Sequence, residues 1–218
     1  MSSANSVHGH PKHLQHHFAD SAQQADSAKL GMWIFLLTEV LLFGGLFCAY
    51  AIFRAWYPDM FFDAHKQLDI MLGGINTVVL ITSSVTMALG IRSMQLNNRR
   101  AALISLWATV ALAGVFLIIK YFEYSHKFHL GQLPGEYYTF EGLTGSNPHI
   151  FFSVYFLMTG LHGIHVIAGM VAIGWMIYRT SRGHFSAEYY TPIEATGLYW
   201  HLVDLIWIFL FPLLYLIG

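Results

Sequence analysis

Residues 30–53 read LGMWIFLLTEVLLFGGLFCAYAIF, an apolar run flanked by Lys29 and Arg54. At a rise of about 1.5 Å per residue, a helix over this run is about 36 Å long, which exceeds the roughly 30 Å hydrocarbon core of a bilayer. The two flanking basic residues would then lie near the lipid headgroups. The run therefore predicts a transmembrane helix.

Glu39 is the one acidic or basic residue inside this run, and it would lie about 4 Å from the bilayer midplane. Because a carboxylate at that depth loses its hydration, we expect the neutral acid near neutral pH. One interpretation is a hydrogen bond to a neighbouring helix that fixes helix packing. The other is a site that handles protons or contacts lipid, and position alone does not choose between them.

The composition is that of a membrane protein. The chain of 218 residues is 56% hydrophobic and 11% charged, against roughly 25% charged residues in a soluble domain. The formal net charge of −1 says nothing about nucleic acid, and the sequence has no basic stripe that would predict nucleic-acid binding. The single cysteine, Cys48, excludes a disulfide or a thiolate metal cluster within the chain.

Four further apolar segments follow the first, so the sequence predicts an all-α polytopic membrane protein, a bundle of five transmembrane helices. The predicted spans are residues 30–53, 68–91, 101–122, 150–178 and 195–217. Residues 1–28 form a polar tail that we expect to be retained and solvated. It is rich in histidine, which leaves metal binding or proton collection as alternatives; the five are His8, His10, His13, His16 and His17.

Basic residues indicate how the bundle is oriented. Seven fall on the side of the tail and four on the other, which predicts an N-terminus inside and a C-terminus outside. The seven are Lys12, Lys29, Arg92, Arg99, Arg100, Arg179 and Arg182, and the four are Arg54, Lys66, Lys120 and Lys127.

Polar side chains inside the second and third spans predict contacts between helices. The second span carries a stripe whose hydroxyl and amide groups are expected to bond back to their own helix or across to a neighbouring one: Asn76, Thr77, Thr82, Ser83, Ser84 and Thr86. In the third span, the i,i+3 spacing of Lys120 and Glu123 predicts a pair, with the lysine extending toward the headgroups.

The fourth and fifth spans carry imidazoles. His162 and His165 share a helix face beside Gly160 and Gly163, glycines that would let a second backbone come close. In the fifth span one face combines three polar groups, Glu194, His201 and Asp204. The spacing leaves three interpretations open: a metal or haem site, a proton or ion path, and a buried polar network that holds the helices together.

Three segments resemble subunit III of the haem–copper terminal oxidases. EATGLYWHLVDLIWIFL at 194–210 resembles the family's last helix, TGLHGIHV at 159–166 the helix before it, and GMWIFLLTEV at 31–40 the helix with a mid-membrane glutamate. Asn76-Thr77 and Glu123-Tyr124 also fit. The chain lacks the first two helices of the seven-helix members and so resembles the short bacterial form.

The resemblance implies a subunit without catalytic, cofactor or metal residues of its own, since haem and copper belong to partner subunits. The implied partners are the catalytic subunit I and the copper-bearing subunit II; a small subunit IV and a larger respiratory supercomplex are compatible. The implied role is to bind phospholipids beside the catalytic subunit and to support proton uptake and turnover stability in aerobic respiration, in the bacterial cytoplasmic membrane. Cytochrome c is the favoured electron donor.

A quinol oxidase is the alternative within the same class, because the donor is decided by other subunits. From a different class, a secondary transporter or channel would also use intramembrane Glu and His residues. That alternative predicts related halves with interrupted helices, and the sequence contains no such repeat.

The resemblance also implies residue roles. Glu39 matches the mid-membrane glutamate, and Arg179, Arg182 and His184 match a cluster that binds phospholipid headgroups. Anchoring of the helix end by positive charge is the alternative for the two arginines. The remaining polar residues are expected in a buried network: Glu123, His162, His165, Glu194, His201 and Asp204.

Overall fold

The computed structural model describes residues 18–143 and 147–216. Five helices in it are long and apolar enough to cross a membrane, which confirms the predicted all-α, five-span architecture. In chain order the helices are α1 (Ser21–Trp56), α2 (Pro58–His65), α3 (Ile70–Gln95), α4 (Arg99–His129), α5 (His149–Ser181) and α6 (Thr191–Phe211). A π-helical turn, Pro212–Leu216, extends α6, and a 3₁₀ turn, Gly135–Tyr137, lies in the loop before α5.

The helices run past the apolar segments because polar residues cap and extend them. Asp20 begins α1 by accepting a hydrogen bond from the Gln23 amide at 2.7 Å, so the helix includes residues of the polar segment 1–28. Asp69 and Asn98 cap α3 and α4 in the same way. The tail histidines, residues 8–17, lie outside the described residues.

The short helix α2 is an element that hydropathy does not reveal. Pro58 occupies its first turn, where a missing amide hydrogen costs nothing. Its buried face carries Phe61, whose ring meets the Phe151 ring of α5 edge-on at 5.3 Å between centroids. The helix therefore anchors the connection between α1 and α3 to the bundle.

The alternating spans give the bundle two ends. We call them the Arg179 end, where α5 finishes, and the Lys127 end, where α4 finishes. Helix α3 packs on α4 and α6, α5 packs on α4 and α6, and α1 packs on α5 and α6. Helix α6 is consequently the most buried span and α1 the most exposed.

Trp200 of α6 shows how closely the central helices approach one another. Its indole is fully buried and occupies the space above Gly169 of α5. A Cβ atom on Gly169 would lie 2.7 Å from the indole, so a larger residue there would displace the ring. The indole Nε1 donates to the Ser83 hydroxyl of α3 at 3.1 Å, which joins three helices at one side chain.

Candidate functional site

Four residues of the polar stripe of α3 form hydrogen bonds between helices, as the sequence predicts. Of the other two, Thr82 bonds back to the Val78 carbonyl of its own helix, and the buried Asn76 amide has no hydrogen-bond partner among the described residues. Two of the stripe's hydroxyls accept hydrogen bonds from indole N–H groups of α6. A third is hydrogen-bonded to a histidine ring of α6, and a fourth to a threonine hydroxyl of α4. The pairs are Thr77–Trp207 at 3.0 Å, Ser83–Trp200 at 3.1 Å, Ser84–His201 at 2.6 Å and Thr86–Thr109 at 2.8 Å. Such bonds hold helices together in a medium that offers no water as an alternative partner.

Glu39 of α1 is bonded to His165 of α5. Its Oε2 lies 2.8 Å from the imidazole Nε2, and both side chains are mostly buried, at 13% and 15% exposed. Phe43 and Tyr199 place their rings next to the imidazole. The geometry favours the interpretation of Glu39 as a hydrogen-bonded link between helices.

The second ring nitrogen of His165 limits the protonation states of this pair. Nδ1 lies 2.8 Å from the Leu161 carbonyl oxygen, which can only accept, so Nδ1 must carry a proton. Nε2 then either accepts a hydrogen bond from the carboxyl O–H of Glu39 or donates an N–H hydrogen bond to the Glu39 carboxylate. In both cases one hydrogen bond joins α5 to α1.

His162 points elsewhere, although it is only three residues from His165. Its ring is fully buried between Phe116 of α4 and Trp207 of α6, with centroids 5.6 and 5.2 Å away. Neither ring nitrogen has a hydrogen-bond partner in the described part of the chain. The expected close approach of a second backbone at Gly160 and Gly163 is wrong, because a Cβ on Gly163 would meet nothing within 4 Å.

The three polar residues of α6 do not form one cluster, because each lies among different neighbours. His201 meets Ser84 of α3, as described above. Asp204 is 3% exposed and lies beside Ser84, and neither of its carboxyl oxygens accepts a hydrogen bond from the described residues. Glu194 is partly buried in the first turn of α6, where the helix dipole favours a negative charge.

A buried ion pair lies in a cluster of Lys120, Glu123, Tyr155 and Tyr215, which we call the ion-pair cluster. Lys120 Nζ donates to Glu123 Oε2 at 2.9 Å, confirming the predicted pair. The expected extension of Lys120 toward the headgroups is wrong. Its side chain is buried because the hydroxyls of Tyr155 and Tyr215 accept from Nζ at 3.2 and 2.9 Å.

Hydrogen bonding within the ion-pair cluster is complete. The lysine ammonium has three N–H groups and three acceptors. Both tyrosine hydroxyls also donate to Glu123 Oε1, at 2.8 Å from Tyr155 and 2.6 Å from Tyr215. Each hydroxyl thus uses both its donor and its acceptor, and the cluster ties α4 to α5 and to the final π-helical turn.

The basic cluster lies at the Arg179 end, on the turn between α5 and α6. The Arg179 guanidinium stacks over Phe185 and that of Arg182 over Tyr178, at 5.2 and 5.3 Å. His184 is exposed, and its Nδ1 lies 3.3 Å from the Arg179 carbonyl oxygen. Within residues 18–143 and 147–216, no carboxylate lies within ion-pair distance of either guanidinium, so both are available to an external anion.

Sequence reasoning missed the two tyrosines of the ion-pair cluster and the neighbouring Lys127. Lys127 is also buried, at 2% exposed. The i, i+3, i+7 spacing of Lys120, Glu123 and Lys127 places three charged groups on one face of an apolar helix, and that pattern could have predicted a buried cluster. Tyr155 and Tyr215 could not be predicted, because they come from distant segments. The described residues contain no group of histidine, cysteine and carboxylate side chains that could hold a metal ion.

The sequence of the chain matches a known protein family. The family model of cytochrome c oxidase subunit III matches residues 13–218, nearly the whole chain. The chain belongs to the cytochrome c oxidase subunit III family. It is thus a subunit III of the haem–copper oxidases, a multi-pass membrane protein of an oxidoreductase complex.

The names of individual relatives agree with this family assignment. The cytochrome c oxidase subunit 3 of Thermostichus vulcanus is 34% identical, over 89% of this chain and 90% of its own length. That of Alkalihalophilus pseudofirmus is 30% identical, over 95% of each chain. A heme-copper oxidase subunit I+III of Aeropyrum pernix is 28% identical over 88% of this chain, which covers 23% of that longer protein.

Proposed function

We propose that this chain is the non-catalytic subunit III of a proton-pumping cytochrome c oxidase in a bacterial cytoplasmic membrane. The family match over residues 13–218 carries this proposal. The asymmetry of basic residues supports an N-terminus inside and a C-terminus outside. Cytochrome c as the donor rests on the names of the relatives, with quinol as the alternative.

The proposed partners are the catalytic subunit I and the copper-bearing subunit II. The relative from Aeropyrum pernix supports the first, because its name assigns subunits I and III to one chain. A small subunit IV and a larger supercomplex would extend the same assembly. Affinity purification through this chain tests the proposal: the haem- and copper-bearing subunits should co-purify and oxidise cytochrome c. Purification of the chain alone, or oxidation of quinol only, would contradict it.

The role proposed for the chain itself is to hold phospholipid and to keep the oxidase active through many turnovers, with support of proton uptake. The exposed basic cluster supports the lipid part, because guanidinium groups bind phosphate oxygens in pairs. Haem and copper, which family members leave to partner subunits, would supply the electron transfer. The polar groups of this chain would position helices and lipid.

The basic cluster provides a direct test of the lipid proposal. We expect Arg179→Ala/Arg182→Ala to lose tightly bound phospholipid from the purified complex and to shorten its active lifetime severalfold, because it removes the two guanidinium groups of the cluster. The basic side chains that remain nearby are His184 and Arg99, whose guanidinium is already engaged with the Ser181 carbonyl oxygen. Phosphorus content and the decay of oxygen consumption measure both effects. The matched control is Arg92→Ala, at the end of α3. Unchanged lipid content and lifetime would leave the cluster as a topology signal only.

Glu39 provides a test of the proton role. Glu39→Gln keeps a hydrogen-bonding group of nearly the same size opposite His165 while removing titration. We therefore expect electron transfer and proton pumping to stay near normal in Glu39→Gln. Glu39→Ala leaves His165 Nε2 unpaired and should loosen the subunit, by about 1–3 kcal/mol. Proton-to-electron ratios in reconstituted vesicles decide the question, and loss of pumping in an intact Glu39→Gln complex would make the residue an obligatory relay.

A further inference from the structure

A cavity of about 500 Å³ opens at the Lys127 end, between the start of α3 and the last turns of α4. It lies on the other side of α4 from an apolar groove lined by Phe116, Gly163 and Ile167. Its polar wall includes Lys66, Asp69, Glu123 and Lys127, and its apolar wall includes Leu72 and Leu130. The cavity is therefore amphipathic and lies at the end of the bundle where α4 finishes.

The charged groups of the cavity differ in how far they are already engaged. Glu123 accepts three hydrogen bonds inside the ion-pair cluster. Asp69 accepts two from the first amides of α3 through Oδ1, and Lys66 is paired with Asp63 at 3.0 Å. Two carboxylates and one lysine are thus committed to structural contacts.

Lys127 is the exception. It is 2% exposed, its Nζ lies over the rings of Tyr155 and Phe152 at 5.3 and 5.9 Å from their centroids, and it has no ion pair in the described part of the chain. Its one hydrogen bond there is to the Gln67 carbonyl oxygen at 3.2 Å. Two of the three N–H donors of its ammonium remain for another acceptor. A buried ammonium with unused donors requires hydrogen-bonding or anionic partners to offset its desolvation. The cavity is the space from which such a partner can reach it.

We propose that this cavity is a second phosphate-binding site, in which Lys127 donates to the phosphate oxygens and exposed His126, on the cavity wall, assists at the mouth. The apolar wall favours the phosphodiester of a phospholipid, because Leu72 and Leu130 would cover the first carbons of the acyl chains. Asp69, whose Oδ2 accepts no hydrogen bond from the described residues, lines the same cavity and suits a headgroup that also has an ammonium. The site is separate from the basic cluster, which lies at the other end of the bundle.

The test counts phosphorus bound to the purified oxidase complex after delipidation. One sample is then incubated with vesicles of phosphatidylethanolamine and phosphatidylglycerol, and another with inorganic phosphate. Lys127→Met removes the charge and keeps an apolar stem in the buried position. Leu130→Glu places a carboxylate at the mouth, where Leu130 is 40% exposed, and disturbs no buried contact. Lys29→Met is the matched control, an exposed lysine at the Arg179 end.

We expect Lys127→Met and Leu130→Glu each to bind one phospholipid fewer per complex than wild type and Lys29→Met. A difference with inorganic phosphate alone would support the site and assign it to the free anion. If Lys127→Met does not assemble, Leu130→Glu decides. Equal phosphorus in all variants under both conditions would overturn the proposal. Because Arg179→Ala/Arg182→Ala is measured in the same assay, loss at one end is distinguishable from loss at the other.

Discussion

Glu123→Ala is expected to destabilise the subunit by about 3–5 kcal/mol, because it leaves the Lys120 ammonium buried without its carboxylate. The change also removes the acceptor for the hydroxyls of Tyr155 and Tyr215. Because Tyr215 belongs to the final π-helical turn, the C-terminal segment should be held less firmly against α4 and α5. We expect the subunit to dissociate from the purified complex at a lower temperature, which heating followed by size-exclusion chromatography measures.

A double variant separates charge burial from the loss of packing. Lys120→Met/Glu123→Gln removes both charges and keeps an amide oxygen for the two tyrosine hydroxyls. It should therefore recover about 2 kcal/mol relative to Glu123→Ala, because no uncompensated charge remains. Equal losses in the single and double variants would show that the ion pair is not what holds this end of the bundle together.

The ion-pair cluster shows where sequence reasoning succeeds and where it stops. The i,i+3 spacing predicts the Lys120–Glu123 pair because that contact is local to one helix. The burial of Lys120 was not predictable, since a lysine near a helix end normally extends to the headgroups. It depends on Tyr155 and Tyr215, which are 35 and 95 positions from Lys120. Such long-range partners are decided by packing.

Trp200→Ala is expected to cost about 3–5 kcal/mol, the second large effect. The indole is fully buried and fills the space above Gly169. Its loss opens a cavity between α5 and α6 and leaves the Ser83 hydroxyl of α3 without its indole donor. Because α6 is the central helix, the damage should appear as a lower melting temperature of the whole subunit, measured by thermal unfolding in detergent.

The control is Trp175→Ala in α5, which removes an indole of the same size from the lipid-facing surface. Trp175 is 58% exposed, so its removal creates no internal cavity, and the expected change is within about 0.5 kcal/mol. The loss of stability in Trp200→Phe should lie between the losses in Trp175→Ala and Trp200→Ala, because phenylalanine keeps most of the side-chain volume but cannot donate to Ser83. Similar losses for Trp175→Ala and Trp200→Ala would contradict the central place of α6.

The transmembrane architecture was predictable because hydropathy reports directly on the bilayer. Five apolar runs gave five spans, whereas the helix ends differ where polar turns extend them, as at Ser21 and His129. The hydroxyl stripe of α3 was also predictable, since polar groups in lipid must find partners. What could not be predicted is which partner each one finds: Glu39 pairs with His165, while His162 turns toward α4 and α6.

We propose that this chain sustains an oxidase whose redox chemistry belongs to other subunits. The most direct measurement compares the complete complex with one from which this chain has been deleted, following cytochrome c oxidation and the haem and copper spectra over time. We predict unchanged spectra and a similar initial rate, followed by a severalfold faster loss of activity without the chain. Loss of a haem or copper signal together with the initial rate would contradict the account.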